Sequence, residues 1–129
     1  MDKILIVQDS RTINALLSWV LKAAGFAVVS VETGEEGVEK AKKESFQLVL
    51  LDYRLPGISG VDVCNALKKD ENTRHIPIVF MSASNEEEIA QIAKDTGAEG
   101  YIIVPFEEKG FIEKIKSYIE NNKCVNGKK

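Results

Sequence analysis

Two aspartates and a serine stand where short apolar runs give way to polar residues. KILIV (3–7) runs into Gln8-Asp9-Ser10, LVLL (48–51) into Asp52 and the Pro-Gly turn of YRLPGISG, and IPIVFMS (76–82) ends in Ser82, followed by Ala83 and Ser84. Two carboxylates held close together repel and favour a cation between them. Oxygen ligands suit a hard ion, and Mg²⁺ commonly takes one or two carboxylates while keeping its waters. A carboxylate in that setting can also be a nucleophile toward a phosphoryl group, forming an aspartyl phosphate. A hydroxyl such as that of Ser82 can hold one of the phosphoryl oxygens. The plainer role for each acid is to cap the helix that follows its strand, and Asp9 sits where such a cap would sit. Three polar strand ends meeting at one sheet edge favour the chemical role.

The rest of the chain supplies that edge. KILIV (3–7), AVVSV (27–31), LVLL (48–51), IPIVFMS (76–82) and GYIIV (100–104) read as strands, dominated by Val and Ile. Amphipathic segments separate them. Ile13, Leu16, Leu17, Val20 and Ala24 form a helical stripe stopped by Gly25, with Trp19 flanking the core. Thr33 and Glu36 have capping-box spacing ahead of a helix over 34–43, and Ser59 precedes a third helix carrying Val63, Cys64 and Leu67. Ser84 and Glu87 form a second capping box, opening a helix with Ile89, Ile92, Ala93 and Thr96 on one face and Gly97 at its end. The last helix, 107–122, buries Phe111, Ile112, Ile115 and Ile119. This (βα)₅ alternation predicts a parallel sheet with right-handed crossovers and helices on both faces. Ligands of such sheets bind at the carboxyl edge. Residues 1–122 read as one domain and 123–129 (KCVNGKK) as a flexible polar tail.

Composition narrows the function classes. The chain has 129 residues, 44% of them apolar and 29% charged, with a net charge of −3. No basic field favours nucleic acid or an anionic membrane, and no apolar run approaches the ~20 residues of a membrane span. The N-terminal apolar run is too short for a signal peptide, and Cys64 and Cys124 read as unpaired reduced thiols. The expected compartment is the cytoplasm. A single histidine, His75, excludes a two-histidine metal site within the chain.

The acid after the first strand, LLDYRLPGISG around the third, IPIVFMSAS around the fourth and YIIVPF at the fifth together resemble the receiver domain of a two-component response regulator, across about residues 2–122. The resemblance implies a flavodoxin-like three-layer sandwich with a parallel sheet of order 2-1-3-4-5. It implies Asp52 as phosphoacceptor, Asp9 as direct metal ligand, the Arg54 backbone carbonyl as a further ligand of Mg²⁺, Ser82 as the hydroxyl contacting the phosphoryl group, and Tyr101 as an aromatic switch. The plainer role of Tyr101 is a strand aromatic packed on a helix. Pro105 matches a proline that follows a cis peptide bond in the family. The implied partners are a sensor histidine kinase or phosphotransfer protein, and a downstream protein on the face of the fourth helix, fifth strand and fifth helix. The fifth-strand face also offers a surface for a homodimer.

Two positions depart from that pattern. Gln8 stands where the family has a second acid, and Val104 where it has lysine. A hydrogen bond to a charged group is worth about 1.5–3 kcal/mol net, so losing the lysine weakens the hold on a phosphoryl group tenfold to a hundredfold. Gln8 lowers metal affinity while keeping an oxygen for a metal-bound water. The Arg54 guanidinium is a candidate replacement for part of the missing charge. The leading reading is a phosphoacceptor that switches partner binding, with at most Mg²⁺-dependent self-phosphorylation and self-dephosphorylation and no other enzymatic activity. The alternative is a phosphorylation-independent interaction module. A flavin protein on this strand order wants a glycine-containing phosphate loop, which QDSRTIN lacks. A phosphatase with an aspartate nucleophile wants a second acid where Arg11 stands.

Overall fold

Leu48, Val49, Leu50 and Leu51 are all fully buried, which requires a sheet covered on both sides. The computed structural model describes residues 2–55, 57–83, 85–104 and 107–127, with side chains to residue 121. Its elements are β1 (Lys3–Val7), α1 (Arg11–Ala23), β2 (Ala27–Val31), α2 (Gly34–Lys43), β3 (Leu48–Asp52), α3 (Gly60–Lys69), β4 (Ile78–Ser82), α4 (Glu86–Thr96), β5 (Gly100–Ile103) and α5 (Glu108–Gly127). The strands form one parallel sheet of order β2-β1-β3-β4-β5. The expected flavodoxin-like (βα)₅ architecture is therefore observed.

Period-two alternation sorts the strand residues into two cores. Ile4, Ile6, Leu48, Leu50, Val79 and Met81 face α1 and α5, packing with Leu17, Val20, Leu21, Phe111, Ile115 and Ile119. Leu5, Val7, Val49, Leu51, Ile78 and Phe80 face the other three helices, packing with Ala41, Val63, Cys64, Leu67, Ile89 and Ala93. The predicted glycine stops are left-handed, with φ 98° at Gly25 and 81° at Gly97.

Three expectations are corrected. The buried stripe of α1 is Asn14, Leu17, Val20 and Leu21, whereas Ile13, Leu16 and Trp19 are 40%, 53% and 67% exposed. Apolar residues surround so much of this helix that two phases fit, and polar Asn14 disguised the correct one. The N-cap of α4 is Asn85, whose side chain accepts from the Glu87 and Glu88 amides; Ser84, the expected cap, lies outside the described residues, as does Pro105. Finally, α5 continues to Gly127 where an end at 122 was expected. No glycine or proline interrupts the chain between Gly110 and Gly127.

Candidate functional site

Parallel pairing carries the ends of β1, β3 and β4 to one edge. The register aligns Val7 with Leu51 and Asp52 with Met81. The strand exits are tied together: the Tyr53 amide donates to the Met81 carbonyl at 3.0 Å, and the Val104 amide to the Ser82 carbonyl at 2.9 Å. A cleft of about 750 Å³ opens there. Gln8, Asp9, Ser10, Asp52, Arg54 and Ser82 form its polar side; Ile13, Leu16, Met81, Ala83 and Val104 form its apolar side.

Helix capping distinguishes the two roles weighed for the acids. The N-cap of α1 is Ser10, whose hydroxyl accepts from the Ile13 amide at 3.3 Å. The N-cap of α3 is Ser59, which forms a reciprocal capping box with Asp62. Neither Asp9 nor Asp52 caps a helix, and both line the cleft.

Asp52 ends β3 and is partly buried. Burial, chiefly, pushes its carboxyl up to about 6 from the ordinary value of 3.8, and the charge of Asp9 adds to the rise. Opposing hydrogen bonds come from the Arg54 amide, at 3.3 Å to Oδ1, and from the Gln8 side chain and the Tyr53 amide. The carboxylate is thus held at some electrostatic cost, as a nucleophile or cation ligand is.

Gln8 acquires a role that its residue type did not announce. It is only 5% exposed. Its Oε1 accepts from the Ser10 amide at 3.1 Å, while its side chain, beside Asp52 in the cleft, acts to lower that carboxyl's pKa. An uncharged amide can satisfy both neighbours; a carboxylate there would repel Asp52. Asn14 is a second residue the sequence reading missed. Its Nδ2 donates to the Gln8 carbonyl at 2.6 Å and the Val31 carbonyl at 3.4 Å, pinning the turn that presents Asp9. Asn14→Ala is expected to leave the Gln8 carbonyl without this donor and to lower stability by about 1–3 kcal/mol in urea denaturation.

Tyr101 lies outside this cleft. Its hydroxyl donates to Glu86 Oε2 on α4 at 2.9 Å, and this bond to a carboxylate raises the phenol above its ordinary pKa. It lines a separate depression of about 290 Å³ with Glu86, Glu107, Phe111 and Lys114. Asp9, Asp52, Ser82, Gln8 and Arg54 are therefore brought together, and Tyr101 stands apart on the α4–β5–α5 side.

Comparison with known proteins matches residues 4–116 to the response regulator receiver domain family. The chain is 36% identical over 115 residues to the phosphate regulon transcriptional regulatory protein PhoB of Escherichia coli (strain K12), covering 89% of this chain and 50% of that protein. It thus spans half the length of that relative. It is 35% identical over 120 residues to the polar-differentiation response regulator DivK of Brucella abortus (strain S19), covering 90% of this chain and 94% of DivK. A CheY-like response regulator receiver domain protein from Methanospirillum hungatei JF-1 has a similar structure, with TM-score 0.89, 26% identity, and coverage of 97% and 98% of the two chains.

Proposed function

The chain belongs to the response regulator receiver domain family, and from that premise we propose that Asp52 accepts a phosphoryl group from a phosphohistidine on a histidine kinase or phosphotransfer protein. The observation that carries this reading is the capping pattern: serines cap α1 and α3, leaving Asp9 and Asp52 together in the cleft with Ser82. A carboxylate oxygen of Asp52 attacks phosphorus, and the phosphorus–nitrogen bond of the donor breaks. The imidazole leaves with the electron pair and takes up a proton. The Ser82 hydroxyl binds a phosphoryl oxygen, and the Gln8 side chain and Arg54 amide hold the carboxylate before attack.

The donor set suits Mg²⁺. Asp9 and Asp52 would hold it, with the Arg54 backbone carbonyl, and Gln8 through a water. Two carboxylates, one destabilised by burial and by the other's charge, favour a cation. When bound, the ion offsets negative charge on the transferred group. The same carboxylates support slow Mg²⁺-dependent self-phosphorylation from small donors and self-dephosphorylation.

We assign the switch to Tyr101. Phosphorylation alters the strand ends around Ser82, and Val104, tied to Ser82 through the main chain, carries the change into the β5 segment. The Tyr101–Glu86 bond then sets how α4 meets a downstream protein or a second copy of the chain. The phosphodonor docks on the exposed Ile13, Leu16 and Trp19 of α1, since Ile13 and Leu16 also wall the cleft. Trp19→Ala is expected to slow transfer from a phosphorylated kinase about tenfold or more, leaving uptake from a small donor unchanged. No helix among the described residues is long and apolar enough to cross a membrane. The buried free thiol of Cys64 suits a reducing compartment, and we place the protein in the cytoplasm.

A phosphorylation-independent module is not favoured, because Gln8 and Val104 leave the phosphoacceptor cleft open and Asp52 supported. The test is incubation with a small acyl phosphate and Mg²⁺, followed by intact-mass measurement. The expected result is a gain of one phosphoryl group, absent in Asp52→Ala and reduced in Ser82→Ala. An unmodified wild-type mass under saturating donor and kinase contradicts the proposal.

A further inference from the structure

A phosphoryl group on Asp52 brings two negative charges into a cleft that already holds Asp9. Among the described residues lining that cleft, Arg54 alone carries positive charge. Ion pairs among the described residues engage Lys3, Arg11, Lys40, Lys42, Lys43 and Lys68, and Arg54 takes part in none. Its main chain is nevertheless fixed, because its amide donates to Asp52 Oδ1 at 3.3 Å. The side chain is exposed, so the guanidinium can turn without breaking packing. Val104, at the opposite exit, contributes only an apolar wall.

From this juxtaposition we propose that the Arg54 guanidinium binds the phosphoryl group once it is on Asp52. The proposal rests on the phosphoacceptor reading above. A guanidinium offers planar paired donors that match two phosphoryl oxygens. Asp9 and Asp52 would hold a cation that offsets phosphoryl charge, Ser82 offers a hydroxyl to one oxygen, and Arg54 offers paired donors to others. The residue thereby has two separable parts: a main chain that positions Asp52, and a side chain that meets the product.

The test is calorimetric titration with beryllofluoride, a mimic of the phosphoryl group, in saturating Mg²⁺. Arg54→Ala and Arg54→Gln are each expected to weaken binding about tenfold to a hundredfold, with Arg54→Lys intermediate. Titration of Mg²⁺ alone should change less than about twofold, because the main chain is retained. Val104→Lys in the Arg54→Ala background should restore most of the loss by supplying a cation from the opposite exit. Unchanged beryllofluoride affinity in Arg54→Ala and Arg54→Gln overturns the proposal while leaving Asp52 as phosphoacceptor. An equal loss of Mg²⁺ affinity also overturns it, assigning Arg54 to the loop and not to the anion. Failure of the wild type to bind beryllofluoride removes both readings.

Discussion

Asp52→Asn is expected to raise stability by about 2 kcal/mol at pH 7 while abolishing phosphoryl uptake. The folded carboxyl of Asp52 stands near 6 against an ordinary 3.8, with burial as the main cause. A shift of one unit corresponds to about 1.36 kcal/mol, so the full shift sets a ceiling near 3 kcal/mol, reduced by the openness of the cleft. The sign follows from linkage. A group whose folded pKa is raised contributes stability below its unfolded pKa and loses it as pH rises through the folded value. The advantage of the asparagine variant should therefore be near zero at about pH 4, grow to about pH 6 and be level above it. Urea denaturation across that range measures it. Mg²⁺ should stabilise the wild type more than the variant, because binding to the native state adds to its stability. Phosphorylation runs the other way, since the carboxylate is the nucleophile: uptake falls as acid protonates Asp52, and bound Mg²⁺, by favouring the charged form, moves that loss to lower pH than in the metal-free protein.

Gly60→Ala is the second large effect, a loss of about 3 kcal/mol. A Cβ at Gly60 would lie 2.5 Å from the Asp52 carbonyl oxygen and 2.9 Å from that of Tyr53. These are main-chain atoms of the strand exit, and the Gly60 amide already donates to the Tyr53 carbonyl at 3.2 Å. Neither side can yield without moving the exit of β3. Alanine favours a helix over glycine by about 1 kcal/mol, but overpacking costs about 1–3 kcal/mol and sometimes more, and the clash with fixed backbone puts this site at the upper end. Denaturant unfolding measures the loss. Phosphoryl uptake should fall with it, since the displaced segment holds Asp52 and the Arg54 amide.

The difference between what the chain revealed and what it concealed has physical causes. Runs of Val, Ile and Leu between amphipathic segments admit few folds, and the β1, β2 and α2 boundaries were readable to the residue. The convergence of Asp9, Asp52 and Ser82 followed from strand order. The phase of α1 was ambiguous because Ile13, Leu16 and Trp19 remain exposed, the first two of them lining the cleft, which local periodicity alone does not reveal. Ser10 and Asp9 are equally good cap residues by type, so only coordinates could assign the cap to Ser10. The hydrogen bonds of Asn14 and Gln8 depend on carbonyls and carboxylates brought near by the fold. Gln8 looked like a lost acid, and the structure adds its role as a side-chain support for Asp52.

Chemical trapping tests the central claim most directly. After incubation with a small acyl phosphate and Mg²⁺, borohydride reduction converts an aspartyl phosphate to homoserine, which peptide mass spectrometry locates. Homoserine at position 52 alone is the expected result. Homoserine at Asp9 or another acid, or none despite an intact fold, would contradict the account.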